Sequence, residues 1–275
     1  MGLARLVGRN RPRRGRVIAL FQPAEEDGSG AAKVIEDPRF SGIRPDFAFA
    51  LHNFPGLPLG HAAVAPGLVN CASRGMRVRL TGKTSHASQP ENGTSPTLAL
   101  SSLIAALSAL STERNIPTDD FRLVTVTHAR LGEPAFGIAP GYAEIWATLR
   151  TSTDLQMEEL VDIAEREVTS AASAAGLVQA IEYHDQFRHC ENDPEATELI
   201  VAALREQGVL SGDVSFPMRG SEDFGRFGDG AKSAMFLLGS GIDSPKLHNP
   251  DFDFPDDLIE IGARCFASIL RGLNY

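Results

Sequence analysis

The sequence predicts an α/β fold in two parts: an outer unit of strands and helices contributed by both ends of the chain, and an inserted α+β unit over residues 73–186. Three observations carry this. Apolar runs at 17–21, 46–51 and 235–238 each stop at a polar residue or glycine, as buried strands of an α/β sheet do. Between about Arg74 and Tyr183 the elements read β-α-β-β-α-β, the order of a ferredoxin-like split unit. Beyond that stretch the pattern of the first fifty residues returns.

The bounds from composition agree. At 275 residues there is room for one large or two medium domains. With 43% apolar and 22% charged residues the chain has the make-up of an ordinary globular protein. No apolar run approaches a membrane span, and a formal charge of -9 argues against a nucleic-acid partner. Arg5, Arg9, Arg11, Arg13, Arg14 and Arg16 crowd the start, but no apolar core and cleavage site follow them, so this reads as a solvated helix end and loop. Cys71, Cys190 and Cys265 show no ligand spacing or disulfide framework. They read as small buried hydrophobes in a reducing cytoplasm.

In chain order, Val17-Ile18-Ala19-Leu20-Phe21 reads as a short buried strand that Pro23 ends. Glu25 and Glu26 follow in a turn loosened by Gly28 and Gly30. Adjacent carboxylates cannot share one environment, since each raises the other's pKa, and a cation near one frees the other to take protons. A solvated acidic turn is the plainer reading of a bare Glu-Glu pair. The second run, Asp46 to Leu51, ends at His52. Met76 to Leu80 is a strand with one wet face, Ser95 to Leu110 a helix, and Phe121 to Leu131 and Tyr142 to Thr151 are strands. Met157, Leu160, Val161, Ala164 and Val168 fall on one helix face, and Val178 to Tyr183 closes the inserted unit. Asp193 before Pro194 starts a helix to Gly208, Met235 to Leu238 is a buried strand, and Pro255-Asp256 opens the last helix.

Two further polar clusters lie late in the chain. Arg219 to Phe224 opens a predicted helix, where carboxylates sit favourably at the positive dipole end. Lys246 to Phe254 places His248 in an acidic, aromatic loop. Glu26, His52 and His248 together offer donors suited to Zn²⁺, Mn²⁺ or Ni²⁺, at separations that only a folded core can close.

Five segments then resemble one family, the metal-dependent amidohydrolases that include hippurate hydrolase, N-acyl-amino-acid aminoacylases and indole-acetyl-amino-acid hydrolases. They are Phe21-Gln22-Pro23-Ala24-Glu25-Glu26, Leu51-His52-Asn53-Phe54-Pro55, Gly82-Lys83-Thr84-Ser85-His86-Ala87-Ser88, Gly220-Ser221-Glu222-Asp223-Phe224 and Leu247-His248-Asn249-Pro250, in family order across nearly the whole chain. The resemblance implies a zinc-peptidase-like catalytic domain (residues 1–72 and 187–275) interrupted by a lid and dimerisation domain (73–186). It implies hydrolysis of the amide bond of an N-acyl amino acid, two divalent ions per full-length site, and a homodimer paired through the lid. Glu25 corresponds to the general base, Glu26, His52 and His248 to metal ligands, and His86 to a lid histidine that contacts substrate. A lesser reading makes His86 a cap on the turn at Pro90, and Glu222 suits a residue that orients its neighbours at a helix start rather than one that touches metal. His61, His128, His184 and His189 match no motif.

Two departures from the family pattern stand out. The Cys-Gly-His-Asp-Gly-His segment that supplies a cysteine and a histidine ligand is not in the chain, since Met1 lies only 24 positions before Glu25. The catalytic domain is therefore expected to be partial at its N-terminus and to hold metal weakly, with a non-catalytic homologue that keeps its lid as the alternative. Gly137 stands where relatives often carry a substrate-binding Asn.

Overall fold

The computed structural model describes residues 2–12, 14–112 and 120–273. In chain order its main elements are α1 (Gly2–Arg9), α2 (Ser29–Glu36), β1 (Phe47–Pro55), β2 (Ala62–Ala63), β3 (Gly67–Asn70), β4 (Ala72–Thr81), β5 (Ser85–His86) and α3 (Thr97–Ala109). Then follow β6 (Arg122–Leu131), β7 (Ile138–Ala139), β8 (Tyr142–Thr151), α4 (Asp154–Ala174), β9 (Val178–Phe187), β10 (Cys190–Asn192), α5 (Pro194–Glu206), β11 (Lys232–Gly241) and α6 (Asp257–Gly272).

The outer unit is organised by β11. It pairs in parallel with β1 and antiparallel with β2, in the order β1-β11-β2. Its residues from Ser233 to Ser240 are all buried, which is why it reads as an unbroken apolar run rather than an alternating one. Ala234, Phe236 and Leu238 face α5 and α6, packing with Ile200, Leu258, Cys265 and Ile269. On the other face, Met235 packs with Val69 and Cys190, and Leu237 with Leu57 and Ala63. Asp193 caps α5 through its side chain to the Ala196 N–H at 2.9 Å, with Pro194 next in line, as the sequence predicts.

The four long strands of the middle region form a second sheet, ordered β6-β8-β4-β9 and antiparallel throughout. That is the order a β-α-β-β-α-β unit produces when each crossover returns over the same face. α3 and α4 cover that face, and Met76, Val78, Leu80, Ile145, Leu149, Leu103, Leu107, Leu160 and Val168 make its core. A Thr153–Gln156 capping box starts α4. The opposite face carries Arg77, which bonds Glu144 at 2.8 Å and lies over Trp146. The fold is thus an α/β outer unit carrying an inserted ferredoxin-like α+β unit, the lid of the expected architecture. The three cysteines are free and buried, as expected.

One element departs from expectation. Residues 17–21 form no strand: Phe21 is 74% exposed, and Ile18 and Leu20 are exposed as well. β-Branched and aromatic composition suits a strand but does not make one, because a strand exists only through hydrogen bonds to a neighbour. Among the described residues no strand pairs with this run. The basic start does form a helix end: α1 has no buried residue and ends at Arg9. The predicted helix after Glu222 is a 3₁₀ turn, Asp223–Asp229. Among the described residues no helix is long and apolar enough to cross a membrane.

Candidate active site

A cavity of about 750 Å³ opens between the outer unit and the lid, and Glu25, Glu26, His52, Glu222 and His248 all line it. The acidic turn is set by its backbone and by Asp223. Gly28 N–H donates to the Glu25 carbonyl at 2.9 Å, with φ of 71° at Gly28. A side chain there would meet the Gln186 carbonyl at 2.7 Å, so only glycine allows the turn this close to the lid's last strand. Asp223 is buried and accepts from Ala31 N–H at 2.8 Å and from Gln22 Nε2 at 3.0 Å. It thereby caps the start of α2 and holds both flanks of the Glu25-Glu26 turn.

Glu222 itself faces the cavity, with a side chain only 15% exposed. Burial, followed by the charges of Glu25, Asp223 and Glu26, pushes its carboxyl up to about 8. It therefore keeps a proton near neutrality and shares it with Glu25. Glu25 is also raised above the ordinary range, first by burial and then by Asp223 and Glu26. Four carboxylates gathered in this way repel one another, and such a cluster is relieved by a cation.

His52 sits near the carboxyl end of β1, opposite Leu237 of β11. Its Nδ1 donates to the Asn53 carbonyl at 2.6 Å, and its Nε2 lies 3.4 Å from Glu222 Oε1. His248 occupies the left-handed region at φ 65°, uncommon for a residue with a side chain, and its Nε2 lies 4.0 Å from Glu26 Oε2. Both members of that pair are largely exposed, at 76% and 82%. Glu26 and His248 thus approach each other at one part of the cavity, while His52 lies against Glu222. Among the described residues no three His, Cys, Asp or Glu side chains close into one ligand cluster. The donor set fits a borderline divalent cation in kind and in electrostatics, presented as two pairs on one cavity.

His86 does not join this cavity. It is exposed, its Nδ1 bonds Ser88 Oγ at 2.7 Å, and β5 pairs with β7 so that His86 lies opposite Ile138, beside Gly137. Of the unmatched histidines, His189 pairs with Asp154 at 3.0 Å and His128 packs edge-on to Trp146.

Motif reading passed over Arg150. It comes from β8 of the lid, lines the cavity, and donates through Nη1 to the Arg219 carbonyl at 2.8 Å and to Ser221 Oγ at 2.9 Å. The available signal was its place in the outward set Tyr142, Glu144, Trp146, Thr148 and Arg150. Alternation gives the face, not what lies across from it.

Comparison with known proteins gives the family and the fold. The model of peptidase family M20/M25/M40 matches residues 1–272. The chain is 29% identical to N-acetyldiaminopimelate deacetylase of Lactobacillus helveticus, covering 100% of this chain and 68% of that one. It is 30% identical to N-acetyl-L-cysteine deacetylase of Bacillus subtilis, covering 94% of this chain and 61% of that one. The chain therefore spans about two thirds of the length of these relatives. Among solved structures, a dinuclear metal binding M20 peptidase of Bacillus subtilis superposes with a TM-score of 0.77 at 21% identity, over 99% of this chain and 69% of that one. A tripeptidase of Staphylococcus aureus gives 0.74 at 20% identity, over 99% and 68%. At these identities the two structures show a shared fold alone.

Proposed function

Because the chain belongs to peptidase family M20/M25/M40, we propose that it is a metal-dependent hydrolase that cleaves the amide bond of N-acyl amino acids. The observation that carries the proposal is the convergence of Glu25, Glu26, His52, Glu222 and His248, drawn from separated loops and strand ends, on one cavity. The two deacetylase relatives support the same substrate class. A non-catalytic remnant has no observation of its own in its favour.

Glu26 and His248 would supply two of the metal donors and His52 a third from across the cavity, with Glu222 beside His52 outside the ligand set. A divalent ion held there supplies Lewis acidity to the amide carbonyl and to the attacking water. Two such ions per site, of zinc, manganese or nickel, are part of this reading, in line with the dinuclear neighbour. Glu25 then does the proton work. Its carboxylate accepts a proton from water and delivers it to the leaving nitrogen, a task favoured by a pKa raised toward the working pH. Glu222, hydrogen-bonded to Glu25, keeps that carboxyl oriented. Walls from Phe54, Met218 and Leu247 give the acyl part an apolar surface.

His86 belongs to the proposal at one remove. It stands on the lid away from this chain's cavity, so contact with substrate requires that a second copy, paired through the lid at 73–186, present its His86. The free buried cysteines suit a reducing cytoplasm.

The test is release of free amine from a panel of N-acetyl amino acids with Mn²⁺ or Zn²⁺ added. Glu25→Gln is expected to lower kcat by about 10²–10⁴-fold, the range for a general acid–base, with metal uptake unchanged. Wild-type protein that hydrolyses none of the panel, or a Glu25→Gln variant at full rate, would overturn the assignment.

A further inference from the structure

Resting on the reading of Glu25 as the group that moves the proton, we propose that Arg150 is a positioning residue. It ties the loop that carries Glu222 to the lid, so that Glu222 and Glu25 are aligned only with the lid seated. β8 is an interior strand of the lid sheet, with Arg150 opposite Ser73 of β4 and Leu123 of β6, so this side chain travels with the lid as a body. Its Nη1 donates to the Arg219 carbonyl at 2.8 Å and to Ser221 Oγ at 2.9 Å, on either side of Gly220. Both bonds are charge-assisted and both acceptors are neutral.

The same loop is held again where the chain enters the lid. Met218 N–H donates to the Val69 carbonyl at 2.7 Å, and Cys71 N–H to the Met218 and Gly220 carbonyls at 3.0 and 3.2 Å. Asn70 Nδ2 donates to the Gly220 carbonyl at 3.3 Å. Past Glu222 the chain meets the way out of the lid: a Cβ at Gly225 would lie 2.4 Å from the His189 carbonyl, and Arg188 reaches Asp229. Glu222 therefore sits between the two crossings into the lid, and Arg150 adds a hold from the lid sheet itself. The Glu25-Glu26 turn is set against the lid as well, through Gly28 at the Gln186 carbonyl. Because Glu222 is hydrogen-bonded to Glu25, the orientation of the proton-carrying carboxyl depends on both.

The full chain is assayed with Mn²⁺ on the N-acetyl amino acid of the panel that turns over fastest, and amide hydrogen exchange is followed in the same proteins. Arg150→Met keeps the stem and removes the donors. It is expected to lower kcat by about 10–10²-fold, the cost of misplacing a reacting group by up to an ångström. KM stays nearly unchanged, the split expected when binding is kept and alignment lost. Arg150→Lys, whose ammonium can serve both acceptors, recovers most of that loss. Ser221→Ala lowers kcat less, and adding it to Arg150→Met costs nothing further, because the two residues act as one contact. In Arg150→Met the amides of 218–224 lose about tenfold in protection, the weight of one charge-assisted bond. Those of β11 keep theirs, which certifies the fold. Ser221→Ala carries the same exchange test should Arg150→Met lose protection in β11 as well.

A loss that falls on KM with kcat kept makes Arg150 a substrate contact and overturns the inference, leaving the hydrolase reading intact. Effects of Arg150→Met and Ser221→Ala that multiply, or protection in 218–224 that does not change, overturn it too. Should the wild type hydrolyse none of the panel, the hydrolase reading falls and exchange alone decides. Lost protection then supports the tie between lid and loop, and unchanged protection overturns both.

Discussion

Asp154 offers the most quantitative test of how the lid is fastened. It opens α4 and binds the segment by which the chain leaves the lid: Arg188 Nε lies 2.6 Å from its Oδ2, and His189 N–H donates to Oδ1 at 2.8 Å. Arg188 also reaches Asp229 in the outer unit. Burial pushes the Asp154 carboxyl up, but the hydrogen bonds from His189 and Arg188 outweigh it and bring the group from 3.8 down to about 2. That is a little under two pH units at about 1.4 kcal/mol each, or about 2 kcal/mol at low ionic strength. The side chain is 30% exposed, so salt reduces the figure further. The sign follows from a lowered pKa. The unfolded chain binds this proton first, so the stabilisation is complete above pH 3.8 and is lost as pH falls through about 2. Asp154→Asn should therefore cost about 2 kcal/mol in urea unfolding at pH 7. About half of that difference from wild type should be gone by pH 3, since linkage removes it across this window. A difference below about 0.5 kcal/mol at pH 7, the size of an ordinary surface substitution, would refute the reasoning. So would a difference that stays constant down to pH 3.

Three further outcomes are expected. His248→Ala should weaken binding of added Mn²⁺ or Zn²⁺ by at least about tenfold in calorimetric titration, the loss found even for outer partners of metal ligands; unchanged affinity would remove His248 from the donor set. Residues 73–186 expressed alone should unfold cooperatively and run in solution at the mass of a dimer, where an unfolded chain would sink the domain and a folded monomer the pairing. Phe236→Ala, at a side chain 1% exposed and packed edge-on to Phe266, should cost about 3–5 kcal/mol in urea unfolding.

Much of this protein is local in origin and so is legible in its sequence. The inserted unit's element order, the cap at Asp193 and the burial of β11 follow from spacing and residue type, and the motif residues around Glu25, His52 and His248 from the family resemblance. Periodicity and capping are properties of a few neighbouring residues, and the chain carries them wherever it folds. What the tertiary structure decided are the relations across space. Residues 17–21 have strand composition, yet no strand pairs with them among those described, and no residue within the run can supply one. Glu222 and Asp223 are adjacent carboxylates, but one turns to the cavity and His52 while the other caps α2, a division their adjacency in sequence does not reveal. Arg150 is one outward residue among several on β8 until Arg219 and Ser221 are brought against it from 69 and 71 positions away. Electrostatics in the cavity depends on distance and burial, so it came into being only when these segments met.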